Sequence, residues 1–281
     1  MPTPLEEYLF DLNGYLVLRG VLSPGQVADA NARLDSLPDL PRGGWHGWVQ
    51  REDHPEHRGV SWQQVVELGG AFEALIDAPA TLDLVTRFVG GQGSFDTWHG
   101  PPSIDENFVT LRGPGEAIPV HSGGHEQAHR TRYHYGDGKF ACGQVNVLVA
   151  LTDIGPGDGA TMVIPGSHKS LVAHPAFAER DQPHEWSNAG GGSVDGIAGA
   201  VEVHLGAGDA ILFVDALCHG SAKRTNAGER IIAVYRYGSS WNRTRFGHQP
   251  SPELLARLSD RQRRMLLPRE PIRPPGTPPR W

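Results

Sequence analysis

The chain has 281 residues, a formal net charge of −7 and a pI near 6.0. This acidic balance argues against the basic surface that nucleic-acid binding requires. No apolar run approaches the ~20 residues of a membrane-spanning helix, and the acidic N-terminal segment lacks the features of a secretory signal peptide. These properties predict a cytoplasmic protein with neither nucleic acid nor a membrane as its partner.

Cysteine, glycine and proline usage narrows the fold class. The two cysteines, Cys142 and Cys218, lie in apolar segments and have no CxxC partner. This pattern favours reduced thiols over a disulfide or zinc framework. The 36 glycines and 23 prolines predict many turns and long loops, as expected of a β-rich fold.

Helices dominate the predicted first part of the chain, because apolar residues recur there at helical spacing behind good N-terminal caps. The predicted elements are helices over residues 4–12, 23–37 and 72–88, a strand over 14–18 and a long loop over 38–61. The loop segment is rich in Trp and His. Its aromatic side chains either line the mouth of a pocket or pack on the outside of the fold.

Strands dominate the second part. They are predicted over residues 108–111, 143–151, 161–164 and 201–205, and as a hairpin from 210 to 237. A polar, Gly-rich excursion (181–199), a helix (252–266) and a Pro-rich tail complete the chain. We therefore predict one domain over residues 1–281, with a helical and loop part at 1–100, a β-barrel core at 105–240 and a C-terminal helix and tail at 250–281.

The segment from Gly208 to Tyr237 carries the most chemical information. His219 follows an apolar strand, and Arg230 opens the next strand after a polar turn. In an antiparallel hairpin, groups at the mouth of the two strands face each other. We therefore expect His219 to hold a metal while Ser221 and Arg230 bind a carboxylate slightly deeper. A 2-oxoglutarate-dependent iron enzyme needs this layout.

Three segments together resemble the phytanoyl-CoA dioxygenase family, and they occur in the family's order. They are FDLNGYLVLRGVL at 10–22, VALTD followed by GATMVIPGSHK within 149–169, and GDA to HGS with Arg230 within 208–230. The resemblance implies a double-stranded β-helix (jelly-roll) fold that is mainly β with flanking helices. It also implies Fe(II), 2-oxoglutarate as cosubstrate, O2, and a small-molecule substrate.

The resemblance also implies roles for particular residues. His219 matches the distal iron ligand, and Arg230 matches the arginine that pairs with the distal carboxylate of 2-oxoglutarate, where a guanidinium fork suits a carboxylate. Ser221 matches the hydroxyl that joins this grip. Asn107 lies where relatives place an amide that touches the cosubstrate.

The sequence departs from the family pattern at the proximal iron ligand. Relatives supply a His-x-Asp or His-x-Glu motif there, which completes a set of two imidazoles and one carboxylate. Here His121 matches the proximal histidine, but Gly123 stands where the carboxylate is expected. No His-x-Asp or His-x-Glu occurs between residues 90 and 140.

Several explanations of this departure stay open. His121-Ser122-Gly123 resembles the site of iron halogenases, in which a chloride takes the place of the carboxylate. Alternatively, another residue completes the site or replaces His121, or these histidines are merely solvated loop residues. The candidates for the carboxylate are Glu126 first and then Asp105 or Asp137, and those for a ligand in place of His121 are His125 and His129. On the last view, the solvated histidines are His121, His125, His129 and His134.

The predicted function is hydroxylation of an unactivated C–H bond in a small molecule, with release of succinate and CO2. The first alternative is an Fe(II)/2-oxoglutarate-dependent halogenase. The others are a non-catalytic metal- or ligand-binding relative and a zinc-dependent hydrolase or isomerase on a similar barrel. A buried arginine that matches the cosubstrate ligand has no role in a zinc hydrolase, which favours the oxygenase.

Overall fold

The computed structural model describes residues 1–54, 59–90, 101–125, 132–136, 138–175, 195–240 and 249–267. The candidate residues Glu126, His129 and Asp137 lie outside these ranges, as do most of the Gly-rich excursion and the Pro-rich tail. Among the described residues, no helix is long and apolar enough to cross a membrane.

Helices flank the fold at both ends of the chain. They are α1 (Pro4–Asn13), α2 (Pro24–Asp35), α3 (Ala71–Ala74), α4 (Pro79–Gly90), α5 (Pro252–Arg257) and α6 (Asp260–Leu266). The helices predicted over residues 4–12 and 23–37 are confirmed, and the capping boxes of Thr3 with Glu6 and Ser23 with Gln26 start α1 and α2. The helical stretch predicted over 72–88 is divided, because α3 ends at Ala74 and α4 begins at Pro79. The single helix predicted over 252–266 is wrong: Ser259 caps a new helix there and divides the segment in two.

Strands form the centre of the molecule. They are β1 (Tyr15–Leu18), β2 (Trp45–His46), β3 (Val49–His54), β4 (Gly59–Gln63), β5 (Ser103–Arg112), β6 (Ile118–His121), β7 (Tyr133–Gly136), β8 (Lys139–Cys142), β9 (Gln144–Ala150), β10 (Thr161–Val163), β11 (Val201–Val203), β12 (Ala210–Val214), β13 (His219–Ser221) and β14 (Arg230–Gly238). Within the described ranges, an eight-stranded sheet has the order β1-β12-β9-β14-β5-β4-β3-β2 and a four-stranded sheet the order β11-β10-β13-β6. These sheets and the flanking helices confirm the predicted jelly roll.

The large sheet has the apolar core on one face and a cavity on the other, and β14 shows how. Because successive residues of a strand point to opposite faces, Tyr235 and Tyr237 point towards the helical part. Their hydroxyls donate to the backbone carbonyls of Phe72 and Leu75, at 2.5 and 2.7 Å. The alternate residues of β14 point to the other face, where the two sheets enclose a cavity.

The long loop predicted over residues 38–61 is wrong. That segment contains β2, β3 and the start of β4, and β4 pairs with β5 to extend the large sheet. The strands carry few apolar residues: Val49 and Trp62 are buried in the core, and most of the other side chains are polar. β2 pairs with β3 and β3 with β4, and β4 alone joins the group to β5, a partner distant in sequence that a local pattern does not reveal.

The hairpin predicted over residues 210–237 is also wrong. β12 and β14 do not pair with each other, because β9 lies between them and pairs with both. The chain crosses to the other sheet after β12, where β13 pairs with β10 and β6. His219 and Arg230 therefore approach each other across the interior between two facing sheets.

Candidate active site

A cavity of about 400 Å³ lies between the two sheets. On one wall, β14 contributes Arg230, Ile232, Val234 and Arg236. Directly opposite them in the strand register, β5 contributes Arg112, Thr110, Phe108 and Glu106. The other wall carries residues of the four-stranded sheet. Alternation along the strands thus gives the cavity charged residues at both ends and mostly apolar residues between them.

Two histidines face each other on the wall formed by the four-stranded sheet. His121 of β6 and His219 of β13 are direct partners in the strand register, and their ring centroids lie 4.1 Å apart. His219 Nδ1 donates to the carbonyl of Leu217 at 2.7 Å, and His121 Nδ1 donates to that of Pro119 at 3.0 Å. Each carbonyl therefore fixes the imidazole tautomer that has its proton on Nδ1 and a lone pair on Nε2. Histidines that bind a metal through Nε2 have this tautomer.

The electrostatic surroundings of His219 also suit a metal ligand. The residue is 9% exposed. Burial lowers its pKa to about 3, and the neighbouring His121 and Arg236 act in the same direction. The imidazole is therefore neutral at neutral pH. Metal binding requires this neutral form.

The third ligand of such a site is not a side chain of residue 123. Gly123 has a φ of +150°, and an added Cβ would lie 2.5 Å from ring atoms of His125. A carboxylate-bearing residue here would therefore clash with that imidazole. Within the described ranges, no group of three or more His, Cys, Asp and Glu side chains is placed to hold a metal ion.

The other carboxylate and histidines considered for this site that lie in the described ranges are not brought to the histidine pair. Asp105 is buried on β5 but is absent from the cavity wall. His134 lies exposed on β7, which pairs with β8 in a separate small sheet. His125 packs at Gly123 without lining the cavity.

A cluster of two arginines and two hydroxyls lies at one end of the cavity. This arginine cluster comprises Arg112, Arg230, Ser221 and Thr161. Arg112 and Arg230 are direct partners across β5 and β14. Arg112 Nη1 donates to Ser221 Oγ, and Arg230 Nη2 donates to Thr161 Oγ1 at 3.2 Å. Ser221 and Thr161 are themselves partners across β13 and β10, so the cluster joins the two sheets.

The charges of this cluster have no counter-ion among the residues that the structure describes. Arg112 is 0% exposed and Arg230 is 4% exposed, and no carboxylate pairs with either among the described residues. Burial lowers the pKa of Arg112 to about 10 and that of Arg230 to about 9. The positive charge of Arg112 also lowers the pKa of Arg230. Both side chains remain cationic at neutral pH, and the Nε of each lacks a hydrogen-bond partner in the described structure.

Such a pair of buried cations is costly without an anion. Like charges directly opposite each other in a sheet repel, and burial removes the water that would screen them. The arrangement is therefore suited to a ligand with negative charge, held by bidentate hydrogen bonds from the guanidinium groups.

The structure brings together four of the five site residues expected from the sequence. His121, His219, Ser221 and Arg230 all line the cavity. Asn107 does not: it lies on the opposite face of β5, where its Oδ1 accepts a hydrogen bond from the backbone N–H of Val66 at 3.0 Å.

Arg112 is the main residue that the sequence analysis missed. It follows the predicted strand 108–111 and precedes a Gly-Pro-Gly turn, so its place at a strand end resembles that of Arg230. This position at a strand end was the sequence signal that could have identified Arg112 as a site residue. Only the register between β5 and β14 shows that the two arginines are neighbours.

The segment expected at the mouth of the pocket contributes polar groups. Glu52 of β3 and Gly59 of β4 line the cavity. Trp45 and Trp48 are about half exposed, at 51% and 47%, and Trp62 is buried outside the cavity wall. The strands therefore bring this segment to the site, but its tryptophans do not form the wall.

Two curated relatives cover most of the chain. It is 29% identical to the L-proline trans-4-hydroxylase of Streptomyces griseoviridis over 252 residues, which are 82% of this chain and 84% of that protein. It is also 29% identical to the ectoine dioxygenase of Nocardia farcinica (strain IFM 10152) over 230 residues, 76% of this chain and 70% of that protein.

Solved structures share the fold. HygX from Streptomyces hygroscopicus, with nickel, 2-oxoglutarate and hygromycin B bound, superposes with a TM-score of 0.66 at 23% identity, over 85% of this chain and 88% of that one. The α-ketoglutarate-dependent epimerase SnoN from nogalamycin biosynthesis has a TM-score of 0.54 at 18% identity, over 83% and 82% of the two chains. A model of the phytanoyl-CoA dioxygenase family matches residues 10–232. The protein therefore belongs to this family of 2-oxoglutarate-dependent dioxygenases.

Proposed function

We propose that the protein is an Fe(II)- and 2-oxoglutarate-dependent hydroxylase of a small molecule. The observation that carries the proposal is the buried pair of Arg112 and Arg230, which has no counter-ion among the described residues and shares one cavity with two opposed histidines. A dicarboxylate that also chelates a metal would satisfy both features. The relatives named as a hydroxylase and a dioxygenase support the same reaction class.

The histidine pair fits an Fe(II) ion. His121 and His219 would bind it through Nε2, since each Nδ1 is committed to a backbone carbonyl. Bound there, Fe(II) with 2-oxoglutarate and O2 supplies the oxidising chemistry that hydroxylates a C–H bond and releases succinate and CO2. Hydrogen bonds to Leu217 and Pro119 keep both rings oriented for this role.

The arginine cluster would hold the distal carboxylate of 2-oxoglutarate. Ser221 follows His219 by two residues on the same strand, so it lies on the same face about 7 Å away along the chain. A five-carbon dicarboxylate spans this separation. Arg230 and Arg112 would grip its far end, with Ser221 and Thr161 holding the guanidinium groups in place.

The apolar middle of the cavity would exclude water from the reacting C–H bond. Ile232 and Val234 of β14 and Leu148 of β9 line this part, together with Phe108 and Phe213. Phe213 also packs against His219, with ring centroids 4.6 Å apart. A dry wall beside the histidines strengthens electrostatic interactions in the site and limits side reactions with water.

The test is an anaerobic titration of the Fe(II)-loaded protein with 2-oxoglutarate, followed by the visible charge-transfer band of the chelate. We expect a band in the wild type, no band in His219→Ala, and a much weaker affinity in Arg230→Met. Arg257→Met is the matched control, because Arg257 pairs with Glu73 outside the cavity.

Three results would separate the alternatives. Absence of the band with iron bound would overturn the oxygenase proposal. A band without succinate release in air, even with every substrate tried, would support a non-catalytic binding protein. Stable zinc binding with no response to 2-oxoglutarate would support a hydrolase or isomerase.

Halogenation is the second candidate, and Gly123 favours it. Residue 123 offers no carboxylate to the metal, so a halide could complete the coordination of a metal held by His121 and His219, provided that the His125 ring beside Gly123 leaves room for it. The same titration with and without chloride tests this idea. A chloride-dependent shift of the band, together with a chlorinated product, would replace hydroxylation as the proposed reaction. An identical band in both conditions would leave hydroxylation in place.

A further inference from the structure

A second charged pair lies at the other end of the cavity. Glu106 and Arg236 are direct partners across β5 and β14, six residues along β14 from Arg230. Arg236 Nε lies 3.3 Å from Glu106 Oε2, and the two side chains are 19% and 7% exposed. Both residues line the cavity. The end of the cavity away from the arginine cluster therefore presents one negative and one positive charge side by side.

The need for stability does not account for this pair. Removing two charges from water costs several kcal/mol per ion, and buried ion pairs commonly add nothing to stability relative to apolar residues. The pair is also incompletely satisfied: Arg236 Nε makes no hydrogen bond in the described structure despite its short distance to the carboxylate. The Arg236 guanidinium instead lies over the Phe108 ring, 5.4 Å from its centroid.

The neighbours of the pair add hydrogen-bonding groups at the same place. Gln63 Nε2 donates to Glu106 Oε1 at 3.4 Å, while Gln63 Oε1 has no partner among the described residues. Asn146 of β9 is the direct partner of Arg236 and also lines the cavity. A ligand bound here would meet two opposite charges and two amides.

The pair also lies close to the histidines. Asn146 is the register partner of both Arg236 and Phe213, and the Phe213 ring packs at 4.6 Å against that of His219. A molecule held by Glu106 and Arg236 would therefore have its carbon atoms beside the proposed iron site. The cavity volume of about 400 Å³ is at the small end of ligand pockets, and part of it would hold the cosubstrate.

We propose that Glu106 and Arg236 recognise a small zwitterionic amino acid as the substrate, with its ammonium group bound by Glu106 and its carboxylate by Arg236. This inference rests on the proposed function and names its substrate class. The two charges of an α-amino acid are joined through a single tetrahedral carbon, so they can contact two protein charges that are themselves adjacent. A singly charged ligand that binds between Glu106 and Arg236 would compensate only one of the two charges that it separates, which disfavours its binding relative to a zwitterion.

The test is equilibrium binding, measured by calorimetry on the protein with 2-oxoglutarate in the absence of O2. The probes are the protein amino acids and ectoine, followed by the N-acetyl and amide derivatives of the best binder. We expect a zwitterion to bind and both derivatives to bind at least about tenfold more weakly, because each removes one charge. Glu106→Gln and Arg236→Met should each weaken the zwitterion by about thirtyfold or more.

The controls separate substrate recognition from damage to the rest of the site. Both variants should bind Fe(II) and 2-oxoglutarate as the wild type does, and Glu73→Gln, which alters an ion pair outside the cavity, should change nothing. Lower iron affinity in Glu106→Gln would instead make Glu106 a metal ligand and overturn the inference. If one of the single variants does not fold, the double variant Glu106→Gln/Arg236→Gln, which leaves no unpaired charge, should show the same loss of zwitterion binding.

Binding of 2-oxoglutarate distinguishes a wrong substrate class from a wrong proposed function. If 2-oxoglutarate binds but no zwitterion does, or if derivatives bind as tightly as their parent, the substrate class is wrong and the oxygenase proposal stands. If 2-oxoglutarate itself does not bind, the proposed function fails and this inference fails with it.

Discussion

The two ends of the cavity are built from the same two strands yet follow opposite electrostatic rules. At one end the register of β5 and β14 places Arg112 opposite Arg230, and at the other it places Glu106 opposite Arg236. The first pair has like charges and no counter-ion among the described residues. The second pair compensates its own charge at 3.3 Å. Between them, Ile232 and Val234 keep the wall apolar.

The difference shows which end depends on a ligand. Two buried cations repel each other, so the arginine end is unfavourable until an anion occupies it. At the other end, Glu106 and Arg236 compensate each other's charge with or without a ligand. The free-energy cost of burying them is therefore smaller, and this end can discriminate between ligands without needing one for stability. We therefore expect mutations at the two ends to change stability in opposite directions, while only the arginine end controls the binding of 2-oxoglutarate.

The largest expected effect is on cosubstrate affinity. Arg230→Met should weaken 2-oxoglutarate by about thirtyfold or more, because it removes a desolvated charge that pairs with a carboxylate. Arg112→Met should act in the same direction, whereas Glu106→Gln should leave this affinity unchanged. Calorimetry on the Fe(II)-loaded protein without O2 measures all three. Equal losses of 2-oxoglutarate affinity at both ends of the cavity would show that the arginine end does not control cosubstrate binding alone.

At the ion-pair end, removal of one partner should destabilise the protein. Glu106→Gln leaves Arg236 without its counter-ion in a mostly buried setting, so the free energy of unfolding should fall by about 2 kcal/mol. Urea denaturation measures the change. The double variant Glu106→Gln/Arg236→Gln should recover part of the loss, since charges in contact are coupled. Strict additivity of the two single changes would show that the pair does not interact.

At the arginine end, removal of one charge should stabilise the ligand-free protein. Arg230→Met relieves the repulsion from Arg112 and fills the space with an apolar side chain, so the free energy of unfolding should rise by about 1 kcal/mol. Thermal unfolding without 2-oxoglutarate tests the gain in stability, and unfolding with 2-oxoglutarate tests the loss of ligand binding. The ligand should raise the melting temperature of the wild type and have little effect on the variant. A less stable ligand-free variant would argue against uncompensated charge.

The smallest expected effect concerns the opposite face of β5. Asn107→Ala removes the acceptor for the Val66 N–H and should cost about 1 kcal/mol of stability. It should not alter 2-oxoglutarate affinity, because Asn107 points away from the cavity. A clear loss of cosubstrate binding would restore the role expected from the family resemblance.

The sequence predicted the elements whose signals are local. The capping boxes at Thr3 and Ser23 and the apolar runs that form β9 and β12 are determined by neighbouring residues, and the structure has them within a few positions. The strands β2 to β4 were missed because they carry few apolar residues and join the large sheet only through the pairing of β4 with β5, a partner distant in sequence. The hairpin over 210–237 was wrong because β9 inserts between its two strands.

For the site, the amino-acid sequence was enough to identify the kinds of groups present: two histidines, Ser221 and Arg230 in a family-like order, and a glycine at 123 where a carboxylate is expected. Tertiary structure decided which of them meet, since the crossing of β13 to the second sheet sets His219 against His121. It also decided that Arg112 joins Arg230 and that Asn107 turns away. Strand register, and with it the face on which each side chain lies, depends on partner strands that are distant in the chain. A local sequence pattern therefore does not predict it.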